Sequence, residues 1–239
     1  MPRLRANISG RRLRELVEAA LGVFCRQGYE RSQVADVAKV MGVAAGTIYL
    51  YVEGKEALFD LVIRHTASDD PDWLDDIEVP VPTPEPGSTL EFLRGIFGRK
   101  GQWPLLAAAL QSAAAADIRA ELDGVVREQY RLMTRHRRGL MLLMRSALEF
   151  PGLADVFVLG LRKRLLEGLG KYLTSRIAAG QIRPLADVAA TAAVMTQTIA
   201  WANLQRPFDP GLHALPEDAV ENATVDLIVS GLVQPVNRP

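Results

Sequence analysis

One cysteine among 239 residues, Cys25, excludes an internal disulfide and fits a reducing cytosol. At helical spacing it reads as a small apolar residue of the first helix. The three histidines, His65, His136 and His213, stand far apart, so no metal cluster and no cofactor site is expected. Aromatics make up only 6% of the chain, while Ala and Leu are plentiful, which favours helices over sheets. No alternating strand pattern of useful length is found. The chain contains no G-x-S-x-G, no phosphate-binding P-loop and no G-x-G-x-x-G after a strand, so no enzyme is expected. Glu15 and Glu18 interrupt any apolar core of a secretory signal, and a cytoplasmic protein is expected. Val188 to Gln205 is uncharged and about one membrane span long. Its Thr191, Thr196, Gln197, Thr198, Asn203 and Gln205 mark it as a buried or dimer-facing helix, not a span.

Net charge is zero, but the charges are segregated. Residues 1–14 hold Arg3, Arg5, Arg11, Arg12 and Arg14 and no acid. Residues 65–91 hold eight acids and no Lys or Arg, whereas residues 92–183 hold sixteen basic and seven acidic residues. A locally basic end can meet phosphate even on a neutral chain. The first eight or so residues read as a flexible basic arm, either solvated or touching a phosphate or minor groove.

The most informative stretch is residues 32–58, SQVADVAKVMGVAAGTIYLYVEGKEAL. Val34, Val37, Ala38 and Met41 fall at i, i+3, i+4 and i+7, one face of a short helix. Ser32 stands at the N-cap position and Gly42 at the C′ position. A second short run extends from Ala44 to Val52. Two short helices joined by a glycine turn make a helix-turn-helix, whose second helix lies in the major groove. Thr47, Tyr49, Tyr51 and Lys55 supply hydroxyl, phenol and ammonium groups of the kind that bond phosphate oxygens.

These residues resemble the amino-terminal DNA-binding domain of the TetR family of bacterial transcription regulators. The resemblance runs from about Leu13 to Leu61 and rests on VADVAKVMGV, GTIYLY and GKEALF taken together. It implies a homodimeric repressor that releases a near-palindromic double-stranded operator when a small-molecule effector binds the carboxy-terminal domain. It implies DNA contacts from Gln33, Ala44, Ala45, Gly46, Thr47, Tyr49, Leu50, Tyr51 and Lys55. Gly46 would allow close approach, Thr47 would meet a base edge or methyl, and Tyr49, Tyr51 and Lys55 would hold phosphates. The chain departs from the family at three places. Ala44 replaces a common Ser or Thr, so the recognition helix lacks a side-chain cap. No basic residue stands near Ala45, and Val52 replaces a common aromatic. The alternative is a helical ligand-binding or interaction protein that has lost specific DNA binding.

The expected architecture is all-α in two domains. Residues 1–54 form a three-helix reading domain, with its motif at about 32–52. Residues 55–239 form a larger ligand-binding and dimerisation domain. The first helix spans about Gly10 to Gln27 on a stripe of Leu13, Leu16, Val17, Ala20, Leu21 and Phe24. Lys55 to about Thr66 begins the next, burying Ala57, Leu58, Leu61 and Val62. Residues 68–88, with five prolines and many acids, read as an extended or mobile connector anchored by Trp73. Six further helices are expected at about 89–99, 104–115, 118–149, 152–180, 185–205 and 216–233.

A mostly apolar pocket between helices is assigned to Phe97, Trp103, Leu106, Leu110, Met133, Met141 and Met144, which plain core packing would explain equally well. Phe157, Leu161, Leu165 and Tyr172 line one helix face, and Val194, Thr198 and Trp201 form a second stripe. Either both stripes face the core of their own subunit, or they pair across a two-fold four-helix interface, the arrangement the resemblance favours.

Overall fold

A computed structural model describes the backbone of residues 2–100 and 102–233, and the side chains of residues 10–99, 102–150 and 152–233. It shows only helices and turns among the described residues, apart from two isolated β-bridges. The helices are α1 Pro2–Gln27, α2 Val34–Met41, α3 Ala45–Ile48, α4 Lys55–Ala67, α5 Ser88–Lys100, α6 Pro104–Ala109, α7 Ile118–Arg135, α8 Arg137–Ala147, α9 Pro151–Ala154, α10 Lys163–Ala178, α11 Val188–Leu204, α12 Pro210–Ala214 and α13 Glu217–Leu232. A 3₁₀ turn covers Trp73–Asp76, and a π-helical stretch covers Asp155–Arg162. The chain packs as two compact units, one of residues 1–99 and 138–158, the other of residues 100–137 and 159–239. Residues 1–54 therefore share a unit with α4, most of α5 and the 138–158 segment.

In the first unit α1 packs against α2, α4 and the 3₁₀ turn. Its expected stripe of Leu13, Leu16, Val17, Ala20, Leu21 and Phe24 is buried, as are Val34, Val37 and Ala38 of α2 and Ala57, Leu58, Leu61 and Val62 of α4. Phe24 meets Phe59 edge-on at 5.3 Å between centroids, and Tyr29 lies 4.4 Å from the same ring. Such pairs add roughly 0.5–1.5 kcal/mol beyond the area they bury.

Several expectations are corrected. The first residues continue α1 from Pro2 instead of forming an arm. Proline suits the first turn of a helix, and the Arg, Leu and Ala that follow are good helix formers. The Arg3 and Arg5 side chains, assigned to phosphate or minor-groove contact, lie outside the described residues, as does Gly101. The helix expected over 118–149 breaks at His136, whose φ of −108° and ψ of 18° are not helical. The one expected at 152–180 passes through the π-helical stretch, and that at 104–115 ends at Ala109. α12 was not expected at all. Its start is capped by Asp209, whose carboxylate accepts from Gly211 and Leu212 N–H at 2.8 and 3.1 Å.

The second unit has a core of α6, α7, α10, α11 and α13 side chains around Tyr130 and Tyr172. Arg176 is 0% exposed within it. Its guanidinium donates to both Glu121 oxygens at 2.7 and 3.2 Å and to the carbonyls of Ser112 and Ala109 at 2.9 and 2.6 Å. A buried charge survives only when paired and hydrogen-bonded in this way. These bonds also fasten the non-helical chain after α6 to α10. Truncating Arg176 leaves Glu121 and two carbonyls without their donor. Arg176→Ala should lower stability by about 3–5 kcal/mol, read from the denaturant midpoint. A loss below 1 kcal/mol would contradict this assignment.

Candidate nucleic-acid interface

The reading motif is assembled by local chemistry. Gln33, not Ser32, is the N-cap residue of α2, with φ −122° and ψ 153°, and its N–H donates to Asp36 Oδ2 at 2.8 Å. Ser32 is buried, and its hydroxyl turns back to donate to the Gly28 carbonyl. The cap position moves by one because that hydroxyl closes the preceding turn. Gly42 ends α2 at φ 68°, a left-handed conformation. Its N–H donates to Lys39 O at 3.2 Å, and Val43 N–H donates to Ala38 O at 3.0 Å. This closure lets the chain reverse within three residues and start α3.

α3 is far shorter than the expected run from Ala44 to Val52. Only Ala45–Ile48 are helical, and Tyr49–Tyr51 form a turn. Ala44 caps α3 with backbone alone. Beneath it Ile48 and Val52 are completely buried. Above it Ala44, Ala45 and Gly46 are exposed, Tyr49 is 51% exposed and Leu50 66% exposed, while Thr47 and Tyr51 are half-buried. A Cβ placed on Gly46 would meet nothing within 4 Å, so nothing inside the protein requires this glycine. Gln33 is exposed at the start of α2. Of the residues assigned to DNA contact, Ala44 to Tyr51 thus lie on or directly beside α3, Gln33 stands at the start of α2 and Lys55 at the start of α4.

Lys55 is half-buried. Its ammonium donates to Glu30 O at 3.1 Å and lies 4.3 Å over the Tyr29 ring. Burial, with Glu56 and Glu30 adding, pushes the Tyr29 phenol up to about 12, so the ring beneath the ammonium stays neutral. One donor is therefore used internally, and an ammonium has three. Cys25 plays no part here. It is buried, and burial pushes its thiol up to about 11, which makes it a poor nucleophile.

The connector between α4 and α5, expected to be extended or mobile and anchored by Trp73, belongs to this unit and is tied to it at several points. The Trp73 indole N–H donates to His65 Nδ1 at 3.1 Å, and Leu74 beside it is buried. Arg14 pairs with Asp75 at 3.2 Å and Asp72 at 3.5 Å. Further along, Val81 forms a parallel bridge with Val52 at the end of the reading motif.

The expected pocket residues are divided between the two units. Phe97, Met141 and Met144 belong to the first unit; Trp103, Leu106, Leu110 and Met133 belong to the second. In the second unit Leu106 is core, Trp103 and Met133 pack against that core, and Leu110 is exposed. Sequence reasoning missed the polar atoms buried there. Gln129 Nε2, Tyr130 OH and Thr196 Oγ1 have no hydrogen-bond partner among the described residues.

The two proposed interface stripes differ. Leu165 and Tyr172 are buried in the core of their own unit and are corrected to core residues; Leu161 is half-buried. Phe157 is half-buried in the first unit, 6.2 Å from Phe97. By contrast Val194 and Trp201 on α11 are 64% and 57% exposed, with Thr198 half-buried between them. Leu227 on α13 is exposed as well.

Gly42 offers a clean test of the motif's geometry. Its Cβ position is empty, so Gly42→Ala adds backbone strain and no clash. Stability should fall by about 1 kcal/mol; an unchanged thermal midpoint would contradict the left-handed turn.

Residues 16–62 match the model of the bacterial regulatory proteins, tetR family. Over 42 residues the chain is 50% identical to the fatty acid metabolism regulator protein of Bacillus subtilis (strain 168), covering 18% of this chain and 22% of that protein. Over 66 residues it is 35% identical to the HTH-type transcriptional regulator LuxR of Vibrio harveyi, covering 28% and 32%. The matched segments thus span less than a third of the lengths of these curated relatives, at 22% and 32%. The structure of the ketosteroid transcriptional regulator KstR2 of Mycobacterium tuberculosis superposes with a TM-score of 0.55 at 19% identity, covering 94% of this chain and 96% of that one, a likeness of fold. Residues 16–62 thus carry the sequence pattern of the bacterial regulatory proteins, tetR family.

Proposed function

We propose that the protein is a sequence-specific DNA-binding transcriptional regulator. It acts as a homodimer, and a small-molecule effector releases it from its operator. The observation that carries this reading is the exposed surface of the reading motif. Ala44, Ala45, Gly46, Tyr49 and Leu50 face outward over a fully buried Ile48 and Val52. A glycine and two alanines leave a low surface that admits a base-pair edge, flanked by phenols that reach phosphate. Gln33 adds a donor at the start of α2, where the helix end itself favours an anion.

The homodimer rests on α11. That helix has no charged residue, yet it exposes Val194 and Trp201 on the side away from its buried Met195 and Ile199. A second copy would cover this face with its own, two-fold related. The effector reading rests on the polar atoms buried without partners at Gln129, Tyr130 and Thr196. A ligand with both apolar and hydrogen-bonding parts would satisfy them. The effector acts by population shift, binding better to the form whose two reading heads do not match the half-site spacing.

A salt series of binding to the DNA flanking the protein's own gene, with unrelated duplex as competitor, tests the function. Tight, competitor-resistant binding that weakens with salt is expected. Equal, weak binding to every duplex would sink the reading and favour a protein that has lost specific binding. Within that assay, Lys55→Ala should weaken binding on all sequences alike and lower the salt slope by roughly one unit; a base-selective loss with an unchanged slope would reassign Lys55. Val194→Asp combined with Trp201→Asp places charge in the proposed interface. It should yield monomers in analytical ultracentrifugation, and a dimer that survives both changes would move the interface elsewhere.

A further inference from the structure

The reading motif has an unusual neighbour. Residues 77–86 read IEVPVPTPEP, and the prolines at 80, 82, 84 and 86 leave backbone donors only at Val81, Thr83 and Glu85 between them. Two of those three donors reach the end of the reading motif. Val81 N–H donates to Tyr51 O at 2.8 Å, and Thr83 N–H donates to Glu53 Oε2 at 2.8 Å. Glu53 N–H returns a bond to Val81 O at 3.0 Å. Ile77, Val79 and Val81 are half-buried, while Glu78, Pro80 and Pro82 are exposed, the period of two of an extended chain. At its upstream end the segment is fixed by the buried Leu74 and the Asp75–Arg14 pair.

This arrangement answers a local need. α3 has four residues and no side-chain cap, and Tyr49–Tyr51 after it form a turn. A single helical turn cannot hold its own shape in water. The prolines lower the entropy that the segment loses when it is pinned, because their φ is fixed before folding. The segment carries Glu78 and Glu85 and no basic residue, so it repels phosphate and is no DNA contact itself.

We propose that residues 77–83 are a strap that positions the reading head, with Glu53 as the positioning residue. By fixing Tyr51 and Glu53 it sets the direction in which Tyr49, Leu50 and Tyr51 leave α3. The strap therefore governs discrimination between sequences more than overall attraction to DNA. This inference rests on the DNA-binding reading above.

Three variants test it in the full-length protein. Glu53→Ala removes the acceptor for Thr83, Glu53→Gln keeps a side-chain oxygen there, and Thr83→Pro removes the donor. Amide hydrogen exchange of residues 49–53 is measured without DNA. Affinity is measured for a preferred duplex, selected from a random library, and for unrelated duplex. Glu53→Ala and Thr83→Pro should speed exchange at residues 49–53 and cut the specific-to-unrelated ratio roughly tenfold, the effect of one charge-assisted hydrogen bond. The salt slope should stay unchanged, and Glu53→Gln should keep most of the ratio. Unchanged exchange in both disruptive variants would overturn the strap, as would faster exchange with undiminished discrimination. If the unsubstituted protein prefers no duplex, the DNA-binding reading fails and takes the strap's role in discrimination with it. The exchange data would still show whether the strap holds the segment.

Discussion

A helix of one turn cannot specify its own conformation, and the reading head of this protein is such a helix. Forming the first turn fixes several residues for one hydrogen bond, so the cost exceeds the return until other contacts are added. α3 has no capping side chain to help, since Ala44 stands at its start. The needed contacts come from three directions. Gly42 sets the angle of entry, and Ile48 and Val52 anchor the underside in a core built by α1, α2 and α4. Backbone bonds from Val81 take up the exit at Tyr51 and Glu53. With these in place, the outward residues need serve no structural purpose, which leaves Gly46, Tyr49 and Leu50 open to a partner.

The parts of this design that depend on neighbours in sequence were legible without coordinates. The stripe from Leu13 to Phe24 and the pattern Val34, Val37, Ala38 report helical period directly, and Gly42 reports a left-handed turn. The parts that depend on distant partners were not. Leu165 and Tyr172 have the same period whether they face their own core or another subunit, and only the position of α7 and α13 decides for the core. Arg176 reads as one more surface arginine until Glu121, 55 residues away, is brought to it. In sequence the proline-rich segment reads as extended or mobile, and both stay open. Prolines exclude a helix, but exclusion of helix is not freedom to move. Spaced at every second residue they leave donors on one edge, as a strand would, and that spacing was the signal available in the sequence.

The two units divide the chemistry. The first unit exposes Ala44, Ala45, Gly46, Tyr49 and Leu50 above the buried Ile48 and Val52, which suits recognition of a large, regular, charged partner. The second keeps unpartnered polar atoms inside, which suits a small guest that brings its own donors and acceptors. It also carries an uncharged helix with a bulky apolar outer face, which suits a copy of itself.

The central claim is that two identical heads of this kind read one two-fold DNA site. Hydroxyl-radical footprinting on a selected duplex tests it most directly. The account predicts two equivalent protected patches related by a dyad, with centres about 34–36 Å apart or a multiple of that. A single asymmetric patch, or protection spread evenly along the duplex, would contradict it.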